Sequence, residues 1–322
     1  MIGNISRAAV RIAALAAGLV YCSEASAQDW PARPVTMIVP YAPGGNIDQA
    51  ARVFGRELSE KLGQQFIVES KGGAGGAIGA VAVAKSKPDG YTLLVTANGP
   101  AVLNKMLYAS LPYDPDADFT PISLISDVPL VFIVNPASPV RDLKDFVAQA
   151  KQKKDAVTIG HPGIGTGAHL AALWFASLAG INIVPVAYRG ANPIVTAVLG
   201  GEIDVGLPSY IPQVQSVKTI AVTADRRVDF LPGVPTAREN GFTDIVTGTF
   251  TGLAAPAGVP PEIVTKMNRI LDAFLKTDAA KKQFAALGAQ TLGGPPERLT
   301  ERVKQEEALW GPIVKNANIK LQ

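Results

Sequence analysis

The stretch Val35-Thr-Met-Ile-Val-Pro-Tyr-Ala-Pro-Gly-Gly-Asn-Ile-Asp48 decides the fold of this chain. Its first five residues are apolar or β-branched and predict a buried strand. Two prolines and a Gly-Gly pair end that strand, and a helical pattern of apolar residues begins at once. A strand that turns through glycines into a helix start directs free backbone N–H groups into one small space, where the helix dipole adds positive charge. The stretch therefore predicts an anion-binding cradle.

The arrangement of strand, polar or glycine-rich loop and helix is repeated further along the chain. Strands that alternate with helices form a parallel sheet, and ligands bind outside the carboxyl ends of its strands. We therefore expect the loops that follow these strands to meet at one edge. The strands predicted in this part of the chain are 35–39, 66–69 and 91–95, and the loops after them are 40–46, 70–76 and 96–100.

The middle of the chain predicts a second lobe. After a proline-rich connection, the apolar run 130–134 is interpreted as the crossing into it, and the Thr- and Gly-bearing run 245–254 as the return crossing. Between them lies a β-α-β-α-β pattern, and the helices after residue 260 must cover the first sheet. The predicted fold is α/β, with two lobes of mixed sheets joined by two crossing strands. The predicted units are 1–27, a cleaved signal peptide; 28–128 with 250–322, lobe 1; and 129–249, lobe 2.

The N-terminal segment is typical of an export signal. Arg7 and Arg11 precede the apolar run 12–21, and Ala25-Ser-Ala27 is a small-x-small cleavage site, so that the mature chain is expected to begin at Gln28. Cleavage there removes Cys22, the single cysteine of the chain, unless Cys22 is lipidated. Without cysteine the exported protein can form neither a disulfide nor a thiolate site. We expect a periplasmic location.

The composition excludes several classes of function. The formal net charge of the 322-residue chain is only +3, which gives no basis for binding nucleic acid. No Gly-Lys dipeptide is available for a P-loop, and no Gly-x-Ser-x-Gly elbow occurs. The run from Gly163 to Ala168 fits a relaxed dinucleotide fingerprint, but the interval 156–201 contains no acidic residue to bind a ribose. We expect no catalytic residue, no cofactor and no enzyme activity.

An ordered set of short motifs resembles one family over nearly the whole mature chain. Together these pieces resemble the extracytoplasmic receptors of tripartite tricarboxylate transporters, also called Bug proteins. The pieces in the first 114 residues are Pro31-Ala-Arg-Pro34, Ile38-Val-Pro-Tyr-Ala-Pro-Gly-Gly45, Gly72-Gly-Ala-Gly-Gly76, Pro88-Asp-Gly-Tyr91 and Leu111-Pro-Tyr-Asp114. The later pieces are Gly163-Ile-Gly-Thr-Gly-Ala-His169, Leu199-Gly-Gly-Glu-Ile-Asp204, Ala221-Val-Thr-Ala224 and Leu231-Pro-Gly-Val-Pro-Thr236.

The resemblance implies a type II periplasmic-binding fold that closes over a small organic carboxylate. It implies that backbone amides, hydroxyls and waters from the two glycine loops of the first lobe hold the ligand, and that the glycine loop of the second lobe completes the enclosure. Membrane transporter subunits are the implied transient partners of a monomeric receptor. Two other hypotheses remain open: the same binding used to signal to a sensor kinase, and an exported enzyme that uses the cleft.

The chain departs from the family pattern in two places. Asn46 and Ile47 stand where the family usually has a third glycine and a threonine, so a hydroxyl donor is replaced by an amide side chain and an apolar group. The segment between Asp204 and Lys218 is several residues shorter than in the family. Both changes affect the predicted pocket wall, and ligand identity is therefore not transferred from any relative.

Each candidate residue has an alternative, structural interpretation. The turn residues at 44–46 could simply cap a helix, and Asp48 is better explained as a first-turn carboxylate than as a ligand contact. His161 is a candidate donor to the ligand, while His169 could equally hold its loop in place. The two histidines lack the further ligands that a metal site needs. The residues predicted to contact ligand are Tyr41, Ala42, Gly44, Gly45, Asn46, Ile47, Asp48, Ala74, Gly75, Asn98, His161, Gly163, Thr166, His169, Asp204 and Ser209.

Overall fold

The computed structural model describes residues 30–317, and the predicted signal peptide and its cleavage site lie outside that range. The strands of the described chain are β1 Val35–Val39, β2 Phe66–Ser70, β3 Thr92–Thr96, β4 Phe119–Pro129, β5 Val131–Val134, β6 Val157–His161, β7 Ile183–Ala187, β8 Val205–Gly206, β9 Lys218–Val222, β10 Gly248–Pro256 and β11 Gln290–Thr291. The α-helices are α1 Asn46–Leu62, α2 Ala77–Ala84, α3 Asn104–Leu107, α4 Leu143–Gln152, α5 Gly167–Ala179, α6 Ala191–Gly200, α7 Pro261–Leu275, α8 Asp278–Ala286 and α9 Glu297–Ala317.

The strands form two mixed sheets, one in each lobe. The first has the order β11-β4-β10-β3-β1-β2, and the second has the order β7-β6-β8-β5-β9. Strands β1, β2 and β3 are parallel, as are β6, β7 and β8, so their carboxyl ends lie on a common edge of each sheet. This is the two-lobed α/β architecture of periplasmic binding proteins predicted from the sequence.

Both faces of the first sheet are buried, as expected where helices cover parallel strands. Alternate residues of β1 point to opposite sides: Val35 and Met37 pack with Phe54 of α1 and Met267 of α7, whereas Ile38 packs with residues of α2. The second sheet is covered in the same manner. Its core includes Phe132, Phe146 and Phe175, whose rings are in contact.

The chain passes between the sheets at two adjacent points. It leaves the first sheet at the end of β4 and enters β5 after Leu130, and it returns at the start of β10. The two crossings are paired directly, since Pro129 lies opposite Gly248 in the antiparallel β4–β10 ladder. Such a two-strand connection is a natural hinge, because few backbone torsions separate the two packed bodies.

Strand β4 lies where the sequence pattern predicted only a proline-rich connection. Its 11 residues form a strand that pairs along its length with β10. Pro121 is tolerated because β11 pairs only with Ser126 and Asp127, which leaves the β4 edge open at Pro121. Pro129 ends the strand.

The long C-terminal helix α9 joins both lobes. It packs against β4 and α3 of the first lobe and against α5 of the second. Trp310 is fully buried, and its indole contacts Trp174 of α5 edge-to-face with ring centroids 6.0 Å apart. None of the helices within residues 30–317 combines the length and apolar character required to cross a bilayer.

Candidate ligand-binding site

The first glycine loop connects β1 to α1. Gly44 has φ +81°, a conformation that favours glycine, whereas Gly45 at the N-cap is extended with φ −74° and ψ 170°. The first intrahelical bond joins Gln49 N to Gly45 O at 3.0 Å. The amides of residues 46–48 precede that bond, and no side chain caps this helix start. The loop therefore presents main-chain donors at a helix N-terminus, as the sequence predicted.

The side chain of Asp48 stabilises the conformation of this loop. This side chain is only 3% exposed, and one oxygen accepts the Gly44 N–H at 3.0 Å. Arg52 donates to both carboxylate oxygens, from Nε at 3.0 Å and from Nη2 at 3.1 Å. Because the carboxylate is neutralised and its lone pairs are engaged, this placement favours the structural interpretation of Asp48 over ligand contact.

The two residues that depart from the family pattern have different environments. Ile47 is 5% exposed and its side chain belongs to the hydrophobic core, so that only its backbone amide is available to the cleft. The Nδ2 atom of Asn46 is buried and has no acceptor among the described residues. Asn46 therefore brings an unused side-chain donor to the same helix start that presents the free amides.

The second glycine loop, between β2 and α2, is built from left-handed residues. Gly73, Gly75 and Gly76 have φ values of 135°, 60° and 94°. Ala74 has φ 47°, which costs about 1–2 kcal/mol for a residue with a Cβ atom. The sequence predicts the glycine turn, but it gave no indication of the strained alanine within it.

Gly75 is the point where this loop approaches the second lobe. A Cβ atom built on Gly75 would lie 2.8 Å from Asn104 Oδ1, and 3.6 Å and 3.7 Å from the carbonyl oxygens of Ile164 and Gly165. The second glycine loop thus faces the glycine loop of the other lobe directly. Only a residue without a side chain fits this junction.

The third loop, after β3, carries Asn98. The carboxamide of Asn98 is 3% exposed and donates from Nδ2 to Glu306 Oε2 at 2.8 Å and to Gly248 O at 3.3 Å. The next residue, Gly99, packs against the hydroxyl of Tyr41, and burial raises the pKa of that tyrosine above its usual value. Tyr41 and Asn98 therefore link the third loop to the first loop and to the hinge strand β10.

The second-lobe loop between β6 and α5 is closed by its own side chains. His161 Nδ1 lies 3.0 Å from Gly163 O, and the Thr166 hydroxyl donates to the same carbonyl at 2.7 Å. Thr166 also accepts the His169 N–H at 3.3 Å, as an N-cap, and the Gly165 N–H donates to His169 Nδ1 at 3.3 Å. The His161 and His169 rings are stacked with centroids 4.4 Å apart.

Both histidines are neutral at pH 7. Burial, reinforced by the neighbouring His169, lowers the pKa of His161 to about 4, and burial also lowers the pKa of His169. Since Gly163 O can only accept, His161 carries its proton on Nδ1 and its Nε2 is an acceptor. In this tautomer the neutral ring can only accept at Nε2, so the predicted donation from His161 to a ligand requires the protonated ring.

The loops of the two lobes are in contact across the cleft, so the structure represents a closed arrangement. Three helix starts from the two lobes, those of α1, α5 and α6, converge there with their positive ends. The closeness of the lobes is seen in the distances from the position that a Cβ atom would occupy on three glycines. These distances are 3.7 Å from Gly44 to Asn192 Nδ2, 3.8 Å from Gly167 to Asn98 Cγ, and 4.0 Å from Gly190 to Ala42 Cβ.

Gly190 and Asn192 are cleft residues that sequence reasoning missed. Gly190 has φ 103° and precedes α6 directly after β7. The same signature of strand, glycine and helix start was used to identify the other loops.

Two predicted site residues lie away from these loops. Asp204 precedes β8 and bonds to Lys153 and to Thr158, which lies near the amino end of β6. Burial opposes ionisation of Asp204, but these hydrogen bonds hold its pKa below the usual value. The expectation that Asp204 faces the cleft is therefore wrong, because the cleft lies at the carboxyl end of β6. Ser209 is buried at the crossing, where its hydroxyl lies 2.7 Å from that of Thr249.

No group of three or more potential metal-ligating side chains occurs between residues 30 and 317. The two stacked histidines therefore have no third ligand of the usual kind beside them in the described chain. What the loops offer instead is a set of backbone amides and neutral polar side chains, which is suited to hydrogen-bonding a small anion.

Comparisons with known proteins agree with this geometry. A model of the tripartite tricarboxylate transporter family receptor matches residues 50–319. The chain is 34% identical over 325 residues to protein BugT of Bordetella pertussis, covering 99% of this chain and 100% of that protein. The structure of R. palustris Rpa4515 with adipate superposes with a TM-score of 0.86 at 32% identity, covering 91% of this chain and 99% of that one. MatC (Rpa3494) from Rhodopseudomonas palustris with bound malate gives 0.81 at 32% identity, over 88% and 100%.

Proposed function

Because the chain belongs to the tripartite tricarboxylate transporter receptor family, we propose that it captures a small organic carboxylate between its two lobes and delivers it to a membrane transporter. The observation that carries the proposal is that both glycine loops of the first lobe lie against helix starts of the second lobe, the first loop at the start of α6 and the second loop at the glycine loop before α5. Amides at the start of α1 are free of intrahelical partners at this junction. Oriented N–H groups at helix starts stabilise a carboxylate without a buried cation.

Two related proteins support the ligand class. The structure of one relative contains adipate and that of another contains malate, and both are dicarboxylates. We propose a carboxylate of similar size for this chain and leave the carbon skeleton to experiment. The neutral state of His161 and His169 agrees with a site in which the anion is the main charged group.

The proposed cycle needs movement of the lobes and no covalent chemistry. We propose that the two lobes rotate relative to each other about the paired crossings at Pro129 and Gly248. Lobe 1 comprises residues 28–128 and 250–322, and lobe 2 comprises residues 129–249. A ligand that contacts loops of both lobes favours the closed arrangement because it binds that state more tightly. The closed form is then the species that the transporter subunits recognise.

A panel of carboxylates tests the binding proposal. Mono-, di-, tri- and aromatic carboxylates are added to the mature protein, and the thermal midpoint and the calorimetric Kd are measured. At least one acid is expected to raise the thermal midpoint. At a concentration one hundred times Kd, the bound acid adds about 2.7 kcal/mol to the free energy of unfolding. The matching uncharged amide serves as control. If no acid shifts the midpoint, or if the amide binds equally well, the proposal fails.

Export and delivery are tested separately. Sequencing the N-terminus of protein recovered from a periplasmic fraction should give Gln28 as the first residue. Uptake of the bound acid into vesicles that contain the membrane subunits should require the receptor. Activation of a sensor kinase without uptake would support the signalling hypothesis, and conversion of the bound acid in a mass-spectrometric time course would support the enzyme hypothesis.

A further inference from the structure

Two strongly exposed isoleucines lie on either side of the junction between the lobes. Ile78, in the first turn of α2, is 55% exposed, and Ile164, in the glycine loop of the second lobe, is 52% exposed. Among the described residues, neither side chain belongs to a hydrophobic cluster of the core. Single exposed apolar residues are ordinary on a protein surface, so these two are informative only if they belong to one patch.

A series of contacts joins the two isoleucines in the closed structure. The Cδ1 atom of Ile78 lies 2.5 Å from the position that a Cβ atom would occupy on Gly73, so this side chain lies against the second glycine loop. Two residues further along, the corresponding position on Gly75 lies 3.6 Å from the carbonyl oxygen of Ile164. Gly73 and Ala74, between these contacts, are exposed. Gly73, Ala74, Ile78 and Ile164 together are here called the interlobe patch.

Ala74 contributes a methyl group to the interlobe patch at a conformational cost. Its φ of +47° lies in the left-handed region, in a loop whose neighbouring left-handed residues are all glycines. The side chain is exposed even though the loops are closed, so burial in the fold does not offset the strain. Strain at a residue whose side chain the fold does not bury points to a role outside the fold.

We propose that the interlobe patch is the surface of the closed receptor that contacts an uncharged, apolar segment of the transporter's membrane subunit. This inference rests on the proposed function, and it names the docking surface within it. Ile78 belongs to lobe 1 and Ile164 to lobe 2, so rotation about the hinge separates them. Because the complete patch exists only while the loops meet, a membrane subunit that binds it distinguishes the closed, liganded receptor from the open one.

The charge of the interlobe patch favours a protein partner over a lipid surface. The segments 72–80 and 162–168 contain no Lys, Arg, Asp or Glu. Lys71, which flanks the first segment, is paired with Glu69 at 3.1 Å. Peripheral lipid-binding surfaces combine apolar side chains with cations that attract anionic headgroups. An uncharged patch without that attraction complements an apolar protein surface.

The size of the interlobe patch favours a transient partner over a second copy of the receptor. A stable, specific interface buries about 800 Å² on each partner, contributed by about 20–30 residues. The patch supplies three apolar side chains and the exposed backbone of Gly73. So small an apolar contact suits a receptor that must dissociate after each delivery.

Charged substitutions in the interlobe patch test the proposal, with the acid that binds most tightly in the carboxylate panel as the probe. Ile78→Glu should keep the calorimetric Kd within about twofold of the wild-type value, because the side chain is exposed. At saturating acid, Ile78→Glu and Ile164→Glu should each reduce receptor-dependent uptake into vesicles at least about tenfold. Ile67→Glu and Leu178→Glu, at exposed sites outside the patch in lobe 1 and lobe 2, are the matched controls and should retain uptake.

Two further measurements separate docking from a structural role. Small-angle scattering with the bound acid should show that Ile78→Glu and Ile164→Glu close normally. Ala74→Gly removes the exposed methyl group together with its strain. This variant should be no less stable than the wild-type protein in urea, and yet its uptake at saturating acid should be lower. Undiminished uptake by Ala74→Gly would overturn the role assigned to the methyl group.

The outcomes distinguish the two proposals. If no acid binds, or if uptake does not require the wild-type receptor, the proposed function itself is wrong. If uptake requires the receptor but both Ile78→Glu and Ile164→Glu support it as well as the controls do, only the docking surface is overturned. Equal binding of the liganded receptor to vesicles without membrane subunits would assign the patch to lipid. An acid-dependent dimer that Ile78→Glu abolishes would assign it to a second copy, and either result would also overturn the proposal.

Discussion

Individual residues determine how the first glycine loop can bind an anion. Gly45 is extended, and a Cβ atom there meets only Ala42 O at 3.7 Å, so a larger residue fits the backbone. We predict that Gly45→Val lowers the free energy of unfolding by about 1 kcal/mol or less, as expected for an N-cap change. Its side chain would cover the amides at the start of α1, and carboxylate affinity should fall at least about tenfold.

Calorimetry with urea denaturation checks this prediction. Gly233→Val is the matched control, because nothing lies within 4 Å of a Cβ atom on Gly233 and its backbone is not left-handed. The control should retain full affinity. Unchanged affinity of the Gly45→Val protein would mean that the ligand does not approach this helix start.

The buried histidines predict a pH dependence of stability. The pKa of His161 in the folded protein, about 4, is below its unfolded value of 6.5, so the unfolded chain binds more protons between these pH values. The contribution is fully present above pH 6.5 and is lost as the pH falls towards about 4. Between pH 7 and about pH 5 the loss is about 2 kcal/mol.

His161→Phe isolates this effect, since the phenyl ring can still stack on His169. Urea denaturation at both pH values should show a smaller loss of stability in the variant than in the wild-type protein. Groups such as Glu306, whose pKa is raised by burial, titrate in both proteins and cancel in the difference. Equal losses would contradict a neutral, buried His161.

Among the structural elements, α9 joins the hinge strands to the cleft through one buried charge network. Arg302 donates to Asp127 Oδ1 of β4 at 3.1 Å and bonds to Glu306, which also accepts from Asn98. Burial raises the pKa values of both acids, an effect that Arg302 opposes. The helix therefore positions the Asn98 amide as well as covering the sheet.

Arg302→Met leaves the buried Glu306 and the half-buried Asp127 without their cation and should lower the free energy of unfolding by about 3–5 kcal/mol near pH 7. Lys281→Met is the control: its ion pair with Asp278 is exposed, and its loss should change stability by about 0.5 kcal/mol or less. Chemical denaturation of both variants provides the test. A small effect of Arg302→Met would mean that the network contributes little.

The sequence predicts those elements whose pattern is local. The strand-glycine-helix units around β1, β2 and β6 follow from apolar runs and glycines, and the structure contains all three. Strand β4 was missed because Pro121 and Pro129 indicate a connection, whereas pairing along its length with β10 stabilises it as a strand. Local patterns cannot report a partner more than a hundred residues away.

In the candidate site, too, some features could be predicted from local sequence and others could not. Main-chain donors at Gly44 to Ile47 could be anticipated, because glycines and a helix start define them. The pairing of Asp204 with Lys153 depends on a contact between residues 51 positions apart. The tautomer of His161 depends on the exact path of its loop, which brings the carbonyl of Gly163 to Nδ1. Asn192 reaches the cleft only because the two lobes close. Side-chain roles across the cleft therefore required the structure.

At the scale of the whole molecule, Gly75 lies against the second lobe, where the proposed closure brings the loops together. We predict that Gly75→Leu, which places a side chain against the carbonyls of Ile164 and Gly165, keeps the lobes apart. Small-angle scattering should show that ligand reduces the radius of gyration of the wild-type protein and not of the variant. Gly63→Leu has similar backbone strain, with φ 69° and open space around it. It should close normally while losing about 1–2 kcal/mol of stability.

The most direct test is a crystal structure of the mature protein with the carboxylate that binds most tightly in the panel. The account predicts that the carboxylate lies within hydrogen-bonding distance of the amides at the start of α1, directly or through one ordered water, with the second-lobe loop at 161–167 closed over it. A carboxylate held by an arginine or lysine side chain, or bound outside the junction of the two lobes, would contradict the account.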